Sequence, residues 1–150
     1  MQDRYLFKAK RKDNCEWVFG GLSYCEKTNA YFITNMGKDH ISYICFHQEV
    51  DSNTICQCTG LKDKNGKLIW ENDIVRFQFD NDDCSFPNKD IKKRIGKVYL
   101  ADFRASWSIA MGRKGSKYIN NDLFKYVQNG NRVDVIGNIF DNPELLEVGE

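Results

Sequence analysis

Residues Thr59 to Val75 read TGLKDKNGKLIWENDIV, and the fold follows from how this stretch is punctuated. Asn65-Gly66 sits at the centre of Asp63-Lys64-Asn65-Gly66-Lys67. An Asn-Gly step tolerates positive φ, so it predicts a tight hairpin turn between two short extended segments. Leu68-Ile69-Trp70 is the outgoing strand, with β-branched and aromatic side chains suited to a half-buried pleat. Glu71-Asn72-Asp73 breaks the apolar run, and Asn is one of the few non-glycine residues that visits the left-handed region at low cost. Glu71 and Asp73 read as turn and strand-start residues whose carboxylates hold backbone amides. The next strand, Ile74 to Phe79, alternates Val75, Phe77 and Phe79 with Arg76 and Gln78, which predicts one buried and one wet face.

The same residues resemble the YopX family, whose proteins are encoded mostly by phages and prophages. The family pattern of Thr-Gly-Leu, Asp-Lys-Asn-Gly-Lys and an aromatic before Glu-Gly-Asp-Ile-Val is met by Thr59-Gly60-Leu61, Asp63 to Lys67 and Trp70 to Val75. Asn72 replaces the usual Gly, a swap its left-handed tolerance permits. Val135 to Leu146 (VIGNIFDNPELL) is a second match, and Phe7-Lys8-Ala9 with Trp17-Val18-Phe19-Gly20 is a third. The resemblance covers most of the chain. It implies an architecture and a phage or prophage setting, and it supplies no catalytic residue.

Working outward, 150 residues suit one domain or two small subdomains, with roughly 70% of the extended surface buried on folding. Ten Phe and seven Tyr against two Pro, within 41% hydrophobic residues, exclude disorder and favour β structure. The net charge of +1, from 22 basic and 21 acidic residues, provides no global field toward nucleic acid or membrane. No apolar run approaches the roughly 18 residues of a membrane span, and Met1-Gln2-Asp3-Arg4 lacks the apolar core of a signal peptide. The expected location is the cytoplasm of a bacterial host.

Before the pivot, Tyr5–Lys10 and Glu16–Leu22 read as a hairpin about Arg11 to Asn14. Ala30–Thr34 and Ile41–Phe46 read as another about Asn35 to Lys38, and Val50–Cys58 as a strand toward the pivot. After it come the acidic turn Asp80 to Asp83, a long polar loop through Pro87 to Arg94, and strands Ile95–Phe103 and Ala105–Met111. A helical turn follows at Asp122–Tyr126, capped by Asn121 or Asp122. Strand Arg132–Gly137 precedes a last helical turn at Asn142–Leu146, with Asn142 as cap and Pro143 in first position. The expected fold is all-β with minor helical turns: an N-terminal antiparallel meander, residues 1–58, packed on a C-terminal SH3-like small barrel, residues 59–150. The SH3 likeness is a fold analogy that licenses no function.

Six cysteines stand at 15, 25, 45, 56, 58 and 84. Cys45 with His47, and Cys56 with Cys58, are the nearest approach to zinc ligand pairs, but structural zinc sites space paired cysteines by two to four residues. Buried free thiols are the expected state, with no metal and no cofactor. Only His40 and His47 are available as imidazole bases, and no nucleophile–base pattern, Gly-x-Ser-x-Gly elbow or phosphate-binding glycine loop occurs. Asp80, Asp82 and Asp83 read as a solvated turn in preference to a cation site. No enzymatic activity is expected.

The conspicuous surface feature is basic. Lys89, Lys92, Lys93, Arg94 and Lys97 form one cluster, and Arg113, Lys114 and Lys117 form a second. Side by side they would contact phosphates, with Tyr99 or Tyr118 as stacking platforms. Lysines that merely solvate loops are the blander account. Trp17, Trp70 and Trp107 are expected as core anchors, and an exposed one would mark an interface. The leading expectation is a phage or prophage accessory protein that binds a host or phage protein and counters host defence or modulates a host process. The alternative is a nucleic-acid binder using loops 89–97 and 113–117. Self-association through an unpaired strand edge is a further expectation.

Overall fold

The computed structural model of the protein describes residues 3–36, 45–78, 93–102, 104–111, 122–128 and 130–147. The chain divides into two compact units, Met1–Gly60 and Leu61–Glu150. Both are antiparallel β structures.

In the first unit, strands β1 (Phe7–Lys10), β2 (Trp17–Cys25), β3 (Ala30–Met36), β4 (Cys45–Val50) and β5 (Cys56–Lys62) pair in the order β4-β3-β2-β1-β5, and β5 continues across the unit boundary. The expected antiparallel meander is present, and it closes on itself. Arg11 bridges Val50, Lys12 N donates to Glu49 O (3.1 Å), and Asp51 N donates to Lys10 O (2.9 Å), so the end of β1 meets β4. Closure requires sharp coiling of β2, which pairs with β1 up to Gly20 and with β3 from Gly21 on. Gly20 makes the bend possible, because a Cβ there would lie 2.1 Å from Thr34 O. Ala9, Ile33 and Val50 fill the interior, with Phe7, Val18, Leu22, Tyr31 and Ile55 around them. The expected strand over Val50–Cys58 is interrupted by a 3₁₀ turn at Ser52–Thr54. Asp51 caps it by accepting from Asn53 N (3.0 Å), a side-chain alternative to the strand ladder.

The second unit holds β6 (Leu68–Trp70), which pairs with β5 across the Asp63–Lys67 turn, and a four-stranded sheet in the order β10-β7-β8-β9. Its strands are β7 (Asp73–Gln78), β8 (Lys93–Ala101), β9 (Ser106–Met111) and β10 (Val133–Asn138), with helix α1 (Leu123–Gln128) ahead of β10. Ile69, Val75, Phe77, Val98, Ile109, Leu123, Tyr126 and Val133 form its core, and Trp107 packs against it. Phe77 and Tyr126 meet edge to face at 5.0 Å. The alternation expected for β7 holds from Val75 to Gln78, where Val75 and Phe77 are buried, Arg76 is exposed and Gln78 is half-buried; Ile74 is buried as well, and Phe79 lies outside the described residues.

The pivot turn is tied down by one carboxylate. Gly66 takes φ +81° in the turn, and Asp63 N donates to Lys67 O (2.8 Å). Asp63, 3% exposed, accepts from Asn65 N (2.8 Å) and Lys67 N (2.9 Å) on Oδ1, and from Val135 N (3.2 Å) on Oδ2. The last contact falls where β10 shifts register between Val135 and Gly137. β10 is an edge strand of its sheet, and Asp63 supplies a partner to an amide on its outer side. Burial pushes the Asp63 carboxyl up, but the amides of Lys67, Val135 and Asn65 together outweigh it and hold the group below its ordinary value.

At the second turn Asn72 takes φ +65°, as its sequence position predicts. Its amide donates to Val98 O (2.9 Å) and its carbonyl accepts from Ile139 N (3.1 Å). Asp73 accepts from Trp70 N at 2.8 Å, the amide-holding role expected of it. Near the C-terminus, Asn138 Oδ1 accepts from Phe140 N and Asp141 N, both at 3.0 Å. Asn142 stands at the N-cap position of the 3₁₀ turn Pro143–Leu146 with Pro143 in the first turn, as expected, but its side chain makes no cap bond, because its Oδ1 accepts from Asn138 N (3.4 Å). Asp122 does cap α1, accepting from Phe124 N at 2.9 Å. No helix among the described residues is long and apolar enough to cross a membrane.

Candidate functional site

The β7 alternation that buries Val75 and Phe77 sends Arg76 and Gln78 to the opposite face. Register then brings Asp134 of β10 across from Arg76, and Lys93 of β8 across from Gln78. Beside this face the pivot turn delivers Lys64, whose amide donates to Val133 O at 2.9 Å. The residues leading into β10 complete the surround. Gly130 and Asn131 both adopt positive φ, Asn131 Nδ2 donates to Lys62 O (3.0 Å), and Arg132 N donates to Tyr126 O (3.1 Å).

Together Lys64, Arg76, Gln78, Lys93, Asn131, Arg132 and Asp134 line a cleft of about 450 Å³. Among the described residues of the lining, four cations face one carboxylate, a local balance of +3. Asp134 sits between two of them, its Oδ2 3.3 Å from Lys64 Nζ and 3.4 Å from Arg76 Nη2, while Asn65 Nδ2 donates to Oδ1 at 3.3 Å. The Asn131 Oδ1 is buried without a hydrogen-bond partner among the described residues. Ammonium and guanidinium groups are donors only, and the planar guanidinium fork matches phosphate and carboxylate oxygens. A cleft of this make-up is suited to an anionic group.

The residues expected from the sequence are divided by the structure. Lys93, Arg94 and Lys97 lie on β8 and not in a loop, which starts earlier than its apolar run suggested because Lys93 pairs with Gln78 and Arg94 with Phe77. Successive residues of a strand point to opposite faces, so Lys93 joins the cleft and Arg94 does not. Lys97 shares the face of Lys93 but pairs with Ile74, away from the cleft lining. Lys89, Lys92, Arg113, Lys114 and Lys117 lie outside the described residues, as do Tyr118, Asp80, Asp82, Asp83, His40 and Cys84. Lys64, Arg76 and Arg132 escaped the sequence reading. They are scattered along the chain and are gathered only by strand register and by the turn at Asn131.

The remaining candidates have local roles. His47 Nδ1 lies 2.9 Å from Thr34 Oγ1 on the first unit's surface. Cys56 and Cys58 are buried and in no disulfide, and Cys56 Sγ donates to Thr54 O at 3.3 Å. Trp70 is buried and Trp107 packs on the core, as expected. Trp17 is not a core anchor: it is half-buried, with Lys8 Nζ 5.0 Å and Lys10 Nζ 5.4 Å from its ring centre.

No curated protein matches the chain. A solved structure, that of protein EF1440 from Enterococcus faecalis, is similar over 93% of this chain and 96% of its own, with 24% identity and a TM-score of 0.50, a likeness of fold. The YopX protein family matches residues 6–147, from the first strand through the last 3₁₀ turn. The chain, with its Asp63 turn, its left-handed Asn72 and its Asn138 turn, belongs to the YopX family.

Proposed function

We propose that this protein acts by binding, without catalysis, and that its partner is a single-stranded nucleic acid gripped by its phosphates in the basic cleft of the second unit. The observation that carries the reading is the convergence of Lys64, Arg76, Lys93 and Arg132 on one cleft, with Asp134 the one carboxylate in its lining among the described residues. Cations that neutralise phosphates release condensed counterions, so affinity falls steeply with salt. A cleft of about 450 Å³ favours a flexible single strand over a rigid duplex. In this reading the setting is the cytoplasm of a bacterial host, and the protein is a phage or prophage product.

The test is fluorescence anisotropy with a labelled oligothymidylate over a salt series. Wild type binds at low salt with a log–log slope of about −2 to −3, since each single-strand phosphate contact contributes roughly −0.7. Neutralising Arg76, Lys93 and Arg132 together to Gln abolishes most of that slope. No binding at low salt ends the reading.

A host or phage protein as partner is the second reading. It is supported by large apolar side chains left on the surface of each unit, Phe19 and Tyr24 on β2 and Leu100 and Phe124 in the second unit. Affinity capture from host lysate, compared between wild type and a Phe124→Ser variant, tests it through loss of one specific partner.

A further inference from the structure

We propose that Asp134 is an internal occupant of the anion site, holding the place that a ligand phosphate takes between Lys64 and Arg76; the inference rests on the reading of the cleft as a phosphate site. Three observations support it. The Asp134 carboxylate stands within ion-pair distance of two of the four cations at once, with Oδ2 shared between Lys64 Nζ (3.3 Å) and Arg76 Nη2 (3.4 Å). Its side chain is only 20% exposed, against 49% for Lys64 and 45% for Arg76, so the anion lies inside and the cations form an outer fork open to a ligand. The strand register fixes Asp134 opposite Arg76, so the carboxylate stays beside the site when its cations swing outward.

These contacts have a consequence for affinity. A phosphate arriving at Lys64 and Arg76 must compete for them with Asp134 and also feels its charge across a few ångströms of partly dried cleft. The residue therefore sets how strongly an anion is held and disfavours weakly charged ones, which do not displace a fixed carboxylate. Asp134 is also linked to the pivot turn: Asn65 Nδ2 donates to its Oδ1, and the next residue, Val135, donates its amide to Asp63. Release of Lys64 and Arg76 from the Asp134 carboxylate leaves that backbone tie intact.

Asp134→Asn keeps the shape and removes the charge. At low salt its oligothymidylate affinity is expected to be about tenfold tighter than wild type, from one relieved repulsion at partly exposed distance. Its salt slope is expected to steepen by up to about one phosphate contact, as Lys64 and Arg76 turn fully to the ligand. Asp134→Ser serves as a second variant, and thermal melting confirms that both are folded. If wild type binds and neither folded variant binds more tightly, the inference falls while the cleft reading stands. If neither wild type nor variants bind at low salt, both fall. Adding Arg76→Gln to Asp134→Asn removes the gain if the two residues share one anion position, and a gain that survives overturns that assignment.

Discussion

Replacing Asp63 with Asn tests the central structural claim, that one carboxylate ties the pivot turn to the bulged strand β10. The side chain is 3% exposed and accepts three backbone amides, at 2.8, 2.9 and 3.2 Å. Asn retains one acceptor oxygen but places an NH₂ donor against at least one amide. Hydrogen bonds to charged groups contribute about 1.5–3 kcal/mol each, and a stranded buried donor costs about 1–3 kcal/mol. Because the three bonds share one group, their loss is not additive, and a net loss of about 2–4 kcal/mol is expected. For a chain of this size that corresponds to roughly 5–15 °C in Tm. The assay is urea unfolding followed by tryptophan fluorescence at several pH values. The folded pKa lies below the ordinary value, so the stabilisation is fully present above about pH 4 and is lost as pH falls through the lower folded value. The gap between wild type and Asp63→Asn is thus widest at neutral pH and narrows on acidification below the ordinary carboxylate range, as the carboxyl protonates and presents a donor. A difference under about 0.5 kcal/mol at pH 7, or a gap that widens on acidification, refutes the reasoning.

Three further outcomes are expected. Gly96→Ala places a Cβ 2.6 Å from both Ala110 O and Ile109 Cγ2, so it lowers the urea midpoint by the equivalent of about 1–3 kcal/mol. Asn72→Val, forced to φ +65° by the backbone bonds to Val98 and Ile139, costs about 1–2 kcal/mol in the same assay, whereas Asn72→Gly stays within about 0.5 kcal/mol of wild type. The Thr28 hydroxyl and amide draw the Cys25 thiol below its ordinary value. Its alkylation, followed by peptide mass spectrometry, therefore reaches half-maximal rate at lower pH in wild type than in Thr28→Val.

What the sequence revealed was local chemistry with a short reach. The Asn65-Gly66 turn, the left-handed Asn72 and the burial of Val75 and Phe77 depend on a residue's own backbone preference or on the strand period, and all are found. Asp73 and Asp122 are also found in their expected amide-accepting roles, because each acts within three residues of its own position. Long-range features were not legible. Asp63 reaches Val135, and Arg76 meets Asp134, through pairings that no local pattern encodes. The start of β8 was missed for a related reason: Lys93 and Arg94 carry no apolar signature, and their partners Gln78 and Phe77 impose the strand. The cleft was half-visible in consequence, with Lys93 picked out by charge density and Lys64, Arg76 and Arg132 left unremarked.

The seam between Arg11 and Val50 has a kinetic consequence for the first unit. Hairpins β1–β2 and β2–β3 bring near neighbours together at small entropic cost, whereas the seam joins residues far apart in the chain and closes a much longer loop. Ring completion is therefore the step expected to limit refolding of this unit, and a permuted chain that joins β1 to β4 through a short covalent link is expected to refold faster.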